Sequence, residues 1–327
     1  MRTRILGKTG ERLSAIGFGC MGLVGWYGVR DDAEGRATLL EALDRGVNHL
    51  DTASSYQLGE NERFVGSVIR DRRREVFLAS KYGITRTADG TLVIDNKPES
   101  VRKAVDGSLS RLGTDHIDLY YLHRIDRTVS IEESVGALAG LVREGKIRYI
   151  GLSECSVNTL RRACAVHPIA AVQNEYSIWT RDPEAAILPA CRELGVGLVS
   201  YSPLGRGFLA GNFASLSDLP ADDARRNMPR FHDSVAAHNA RISAGVRELA
   251  EHKGCTPAQL ALAWVLAQGE DILPIPGMKT RAHLTDNLGA LDISLTAAER
   301  EALRSLVDRI GVHGERYPAA MMTALGG

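Results

Sequence analysis

Apolar residues in this chain come in short continuous runs, separated by longer stretches with helical periodicity. The runs fall at Ala15–Cys20, Val47–Asp51, Val76–Ser80, Ile117–Leu122, Tyr149–Leu152, Ala171–Asn174, Gly197–Tyr201 and Ile272–Ile275. They are continuous rather than alternating, as strands covered on both faces should be. Amphipathic patterns fill the intervals at Asp31–Arg45, Asn61–Arg72, Lys97–Leu112, Ile131–Glu144, Ser156–Val166, Pro183–Leu194, Thr256–Ala267 and Thr280–Leu288. Gly46, Gly113 and Gly145 stop three of these, and Thr256-Pro257 is a cap followed by proline at the first helical position. Eight strands alternating with eight helices predict an α/β fold with an all-parallel sheet, and eight is the number that closes into a (β/α)8 TIM barrel.

Three segments stand outside that rhythm. RTRILGKTGERLSAIGFG reads as an N-terminal β-hairpin. Gly205–Phe231 has no clean period and is rich in Gly, Asp, Pro, Arg and Asn, which predicts a functional loop, mobile until a ligand closes it. Helices are expected at Ser234–Lys253 and Thr296–Ile310, then a loose tail. No linker divides the chain, so residues 1–327 read as a single domain.

Composition narrows the class. Lys+Arg and Asp+Glu both number 40, so there is no basic stripe for nucleic acid or a membrane surface. No run approaches a membrane span, and the first residues lack a signal-peptide core, so the expectation is a cytoplasmic protein. Five cysteines without close pairs read as reduced thiols, and nine scattered histidines imply no metal site.

Two nucleotide-like motifs mislead. Gly17-Phe18-Gly19-Cys20-Met21-Gly22 matches G-x-G-x-x-G, but LVGWYG follows where a helix should open. Gly7-Lys8-Thr9 lacks the earlier glycine of a P-loop, because position 2 is arginine.

The chemistry lies elsewhere. Asp51, Lys81 and His123 stand at the ends of three successive strands, and Tyr56 follows in the loop after the first of them. A barrel gathers strand C-terminal ends at one face. A tyrosine, with an ordinary pKa of about 10, needs an adjacent cation to serve as an acid near neutrality. Lys81 can be that cation, Asp51 can hold it charged, and His123 can orient a substrate oxygen. That combination suits proton delivery to a carbonyl.

NHLDTASSYQLGENERFVG, LASKYG and IDLYYLHRID resemble the aldo-keto reductases, and GLSE, QNEYS, SPLGRGFL and IPG further along look closer to their bacterial and plant aldehyde-reducing branch. The resemblance runs from the hairpin to NLGAL near position 290. It implies a (β/α)8 barrel with the hairpin plugging its bottom, and NADPH-dependent reduction of small aldehydes and ketones by Asp51, Tyr56, Lys81 and His123. It also implies that Ser153 and Gln173 hold the nicotinamide carboxamide and that Tyr201 stacks on the ring. Ser202, Leu204 and Arg206 would begin a loop over the pyrophosphate. The backbone of Gly277 and Met278, with Lys279, would meet the adenosine phosphate end, Arg281 and His283 are further candidates there, and Asp286 and Asn287 would face the adenine. Cations at Lys279 and Arg281 are the physical reason to expect NADPH rather than NADH. Glu154 stands where many members have asparagine, and His283 where many have arginine. Trp26, Tyr27, Arg124, Ile125, Trp179 and the tail around Tyr317 are expected to wall the substrate pocket, and aromatic walls favour apolar or aromatic carbonyls. The alternative is a cofactor-binding regulatory subunit of the potassium-channel β type. A short-chain dehydrogenase would need Tyr-x-x-x-Lys, which the chain lacks.

Overall fold

The computed structural model describes residues 1–87, 91–211, 213 and 215–327. Its strands are β1 (Thr3–Ile5), β2 (Arg12–Ser14), β3 (Phe18–Gly19), β4 (His49–Asp51), β5 (Phe77–Tyr82), β6 (Ile84–Arg86), β7 (Leu92–Ile94), β8 (Ile117–Leu122), β9 (Ile147–Ser153), β10 (Ile169–Glu175), β11 (Gly197–Tyr201) and β12 (Ile272–Pro274). The helices are α1 (Asp32–Asp44), α2 (Glu60–Ile69), α3 (Pro98–Leu112), α4 (Ile131–Arg143), α5 (Val157–Val166), α6 (Ile187–Leu194), α7 (Asp233–Lys253), α8 (Pro257–Leu266), α9 (Arg281–Gly289), α10 (Ala297–Ile310) and the short α11 (Ala319–Met322).

Eight strands form one parallel sheet in the order β12-β11-β10-β9-β8-β5-β4-β3. The sheet curls until its last strand meets its first. Closure is sparse, because Pro274 and Pro276 have no N–H to give. They only accept, from Gly17 at 2.9 Å and Gly19 at 3.0 Å, and a bridge joins Gly19 to Gly277. This explains why the first barrel strand is much shorter than the predicted Ala15–Cys20. The barrel is the predicted (β/α)8 TIM fold.

The helix ends follow their caps. Asp31, Ser130 and Ser156 accept from the third backbone N–H beyond them, and Thr256 and Thr296 form full capping boxes with Gln259 and Glu299. The predicted helix over Pro183–Leu194 splits into a short turn at Asp182–Glu184 and α6. The β6–β7 hairpin was not foreseen.

Strand alternation sorts the barrel into an outer and an inner set. Leu50, Leu78, Tyr120, Ile150 and Val172 pack outward into the helical layer. Leu6, Leu13, Phe77, Leu119, Ala171 and Leu273 fill the lower interior, so the N-terminal hairpin plugs the floor. Two glycines make room for large interior side chains. A Cβ on Gly151 would lie 2.3 Å from the Tyr121 ring, and one on Gly17 would lie 2.8 Å from His49 Nδ1. Gly17 is therefore a packing glycine, as the failed dinucleotide motif required. A second apolar cluster joins Phe208, Phe213 and Phe231 of the 205–231 segment to Trp179 and Trp264 below. The described residues of that segment include short turns at Gly205–Gly207, Leu216–Asp218, Ala224–Asn227 and Pro229–Phe231.

Candidate active site

The inward positions of the strand C-terminal ends carry polar groups. Asp51 ends β4, Lys81 lies near the end of β5, His123 follows β8 and Ser153 ends β9. Lys81 is fully buried, and its ammonium has three partners. It donates to Asp51 Oδ1 at 2.5 Å, to the Thr52 carbonyl at 2.8 Å and to the Tyr56 hydroxyl at 3.2 Å. Gln173 Nε2 donates to the other Asp51 oxygen at 2.8 Å. The Tyr56 and His123 rings meet edge to face at 5.9 Å, and Ser55 Oγ lies 3.3 Å from His123 Nδ1.

The electrostatics follow from burial and neighbours. Burial works against charge on Lys81, but Asp51 and Tyr56 outweigh it and hold its pKa above the ordinary lysine value. Burial pushes the Tyr56 phenol up, and the Lys81 ammonium offsets only part of this, so its net shift is upward. The sequence suggested a net lowering, because it showed the cation but not the depth of the site. Burial, helped by Arg124 and Lys81, holds His123 well below the ordinary histidine value, so it is neutral at pH 7. A neutral imidazole can donate one hydrogen bond to a substrate oxygen without competing for its proton.

Asp51, Ser55, Tyr56, His123, Ser153 and Gln173 line one end of a cavity of about 740 Å³, with Lys81 behind them. Trp26, Tyr27, Arg124 and Tyr317 wall the same end, with Leu58, Ile84 and Leu92. The other arm is lined by Ser202, Leu204, Arg206, Gly277, Lys279, Asp286 and Asn287. Asp286 accepts from Thr256 Oγ1 at 2.7 Å, and Asn287 donates to the Gly277 carbonyl at 3.3 Å. His283 and Thr280 also reach this arm. The 205–231 segment spans the arm. Asp223 accepts from the Gly28 amide at 3.0 Å, and the Arg225 guanidinium lies 5.1 Å from the Tyr27 ring.

Several predicted positions differ. Trp179 is 4% exposed and stacks on Phe208 at 5.0 Å, beneath Gly205, so it supports the strap and does not wall the cavity. Ile125 packs in the outer core. Arg281 points to Glu34, with an Nη2–oxygen distance of 3.0 Å, and does not line the cavity. Sequence reading missed Arg225, which lines the cavity from the aperiodic segment, and Arg316. Arg316 joins the tail to Glu154 by two bonds, at 2.9 and 3.1 Å.

Backbone strain clusters at the same face. Among the described residues, five non-glycine residues have positive φ: Gln57, Leu58, Glu154, Ser202 and Arg206. All follow the C-terminal ends of β4, β9 or β11. Each costs of order 1–3 kcal/mol, and such conformations persist where a site over-determines them.

The described residues contain no group of three or more His, Cys, Asp or Glu placed to hold a metal, and no helix long and apolar enough to cross a membrane. The aldo/keto reductase family pattern matches residues 15–308. The chain is 45% identical over 322 residues to the aldo-keto reductase yakc [NADP(+)] of Schizosaccharomyces pombe, covering 97% of this chain and 94% of that one. It is 44% identical over 314 residues to the probable aldo-keto reductase 1 of Glycine max, covering 95% and 90%. Among solved structures, the glycerol dehydrogenase AKR11B4 of Gluconobacter oxydans superposes with a TM-score of 0.86 at 29% identity, over 96% of this chain and 97% of that one. The chain belongs to the aldo/keto reductase family.

Proposed function

We propose that the protein reduces a small-molecule carbonyl to an alcohol with NADPH, using Tyr56 as the general acid. The observation that carries this is the Tyr56 hydroxyl bonded to the buried Lys81–Asp51 pair at the cavity wall, with neutral His123 beside it. Lys81 stabilises the phenolate left when Tyr56 gives up its proton, and Asp51 keeps Lys81 protonated. His123 positions the carbonyl oxygen near the Tyr56 hydroxyl. The 3.2 Å contact between Lys81 and Tyr56 is the route by which the tyrosine recovers a proton.

The other arm suits a phosphorylated dinucleotide. Arg206, Arg225 and Lys279 line it. Arg206 and Arg225 have carboxylate partners in Glu175 and Asp223, whereas among the described residues Lys279 bonds only the Tyr27 and Val29 carbonyls, at 2.7 and 2.5 Å. Burial draws the Lys279 pKa down, as it would for a cation lacking its anion. Bound NADPH would supply the hydride. Ser153, Gln173 and Tyr201 would hold its nicotinamide, Ser202, Leu204, Arg206 and Arg225 its pyrophosphate, the Gly277 and Met278 backbone with Lys279 its 2′-phosphate, and Asp286 and Asn287 its adenine. The name of the fission-yeast relative, which includes NADP(+), supports the same choice.

The test is NADPH oxidation by the pure protein against aromatic, aliphatic and sugar aldehydes, with NADH alongside. Turnover with NADPH well above that with NADH is expected. Tight NADPH binding without turnover of any carbonyl would replace this reading with a binding subunit.

A further inference from the structure

Four arginines are buried around the C-terminal ends of β8 to β11 and the 205–231 segment: Arg124, Arg206, Arg230 and Arg316. Three have carboxylate partners. Arg206 and Arg230 share Glu175, at 3.1 and 3.5 Å, and Arg316 takes both oxygens of Glu154. Arg124 has none within 4 Å among the described residues, although it is only 6% exposed. Its Nη1 is fixed, donating to the His123 carbonyl at 2.6 Å and to Ser153 Oγ at 3.3 Å. Its Nε and Nη2 donate to no group among the described residues. Those two nitrogens share one edge of the planar guanidinium, where parallel N–H bonds match the two oxygens of a carboxylate.

Glu154 cannot be the missing partner. Its Oε1 already accepts from the Glu175 amide at 3.0 Å, the Tyr201 hydroxyl at 2.8 Å and Arg316, and its Oε2 accepts from Arg316. The unpaired edge belongs to a side chain that lines the substrate end of the cavity, next to His123. The Tyr317 ring lies 6.0 Å from its guanidinium carbon. Burial works against the Arg124 charge, but Tyr201, Tyr317 and Glu154 nearby hold its pKa above the ordinary arginine value, so the cation persists, and no described residue bonds this edge.

We propose that Arg124 is a specificity residue that takes the carboxylate of a carboxylate-bearing carbonyl substrate, an oxo acid or a semialdehyde. This rests on the reductase reading above. The carboxylate takes no part in bond making. The carbonyl carbon gains hydride from NADPH, its oxygen gains a proton from Tyr56, and the product is a hydroxy acid. The proposal narrows the sequence expectation of apolar or aromatic carbonyls: the apolar wall remains, with one fixed cation set into it.

Matched pairs test it: phenylglyoxylate against its methyl ester, 4-carboxybenzaldehyde against methyl 4-formylbenzoate, and succinic semialdehyde against butanal. They vary the spacing between carbonyl and carboxylate. In the wild type, the acid of at least one pair should have a kcat/KM at least about tenfold above its neutral partner. In Arg124→Leu that ratio should fall to about one, mainly through the KM of the acid, and Arg124→Lys should restore part of it. Neutral partners turned over as well as acids in every wild-type pair would overturn the proposal, whether or not the variants fold. So would an acid preference that survives Arg124→Leu. If no carbonyl is turned over, the reductase reading fails, and binding then decides this one. Calorimetry of the NADP+-loaded protein should show benzoate tighter than benzamide by at least about tenfold, with the difference lost in Arg124→Leu. Equal binding of the two sinks it.

Discussion

At the floor of the barrel, Leu6, Leu13, Phe77, Leu119 and Leu273 fill the interior with apolar side chains. At the mouth stand Asp51, Lys81, His123 and Ser153, of which Lys81 and His123 lie two inward positions beyond Phe77 and Leu119. Both layers are buried, but the floor gains free energy by leaving water, whereas the mouth must offset desolvation with fixed bonds. The mouth also holds every positive-φ non-glycine residue among those described. Stability is thus made at one end of the barrel and used at the other, the division expected where loops carry chemistry on a rigid scaffold.

The sharpest way to break that comparison is one substitution at each end. Tyr56→Phe removes one oxygen at the mouth. It should lower kcat by roughly 10³-fold, within the range for a lost general acid, while the unfolding midpoint barely moves. Leu119→Ala at the floor should do the reverse, costing about 2–5 kcal/mol of stability and leaving kcat within about twofold. Steady-state kinetics and urea unfolding on both variants decide it. A Tyr56→Phe protein that keeps its kcat would remove Tyr56 from the chemistry.

The buried pair comes next. Lys81→Met leaves Asp51 with Gln173 as its side-chain partner, and Asp51→Asn leaves Lys81 without a counter-charge. Each should cost about 3–5 kcal/mol, because an uncompensated buried charge remains. The double variant should cost clearly less than the sum, since it leaves no charge behind. Additive losses in urea unfolding would show that the two side chains do not act as a pair.

Much of this was legible in the sequence, for identifiable reasons. Strand and helix bounds are local: Ile117–Leu122 was read as observed, and caps such as Thr256-Pro257 placed helix starts to within a residue. The clustering of Asp51, Tyr56, Lys81 and His123 followed from strand order alone, because a barrel brings strand ends to one face. The β6–β7 hairpin was missed although Asp89-Gly90 in the sequence is a turn signal. Charge pairing was not legible. Arg124, Arg206, Arg281 and Arg316 look alike in a sequence, and only the fold shows that Glu175, Glu34 and Glu154 occupy the last three. Trp179 was misplaced for the same reason, since a tryptophan after a strand end can face a cavity or a strap. The upward shift of Tyr56 was hidden too, because burial is a property of the whole fold.

Between floor and mouth lies His49, two residues before Asp51 on the same face of β4. It is fully buried, its ring meets Phe77 edge to face at 5.9 Å, and neither ring nitrogen has a hydrogen-bond partner among the described residues. It is a mouth-type group in a floor-type setting, and its pKa shows the mismatch: burial first of all, with Lys81 adding, draws it down to about 4 despite Asp51. In the unfolded chain a histidine titrates near 6.5. Between those two values the unfolded state binds the proton and the folded state does not. Stability from His49 is therefore complete above about pH 6.5 and is lost as pH falls toward 4, by about 3 kcal/mol at most. His123, also depressed, acts in the same direction. His49→Leu isolates the His49 share, because every other titrating group is common to both proteins. Urea unfolding at pH 7 and pH 4.5 should show the wild type losing more stability than His49→Leu over that interval. The variant should also gain at both pH values from no longer burying unpaired nitrogens. Equal losses in the two proteins would mean that His49 finds a proton partner in the folded state, and that the apolar character of the floor does not extend up to it.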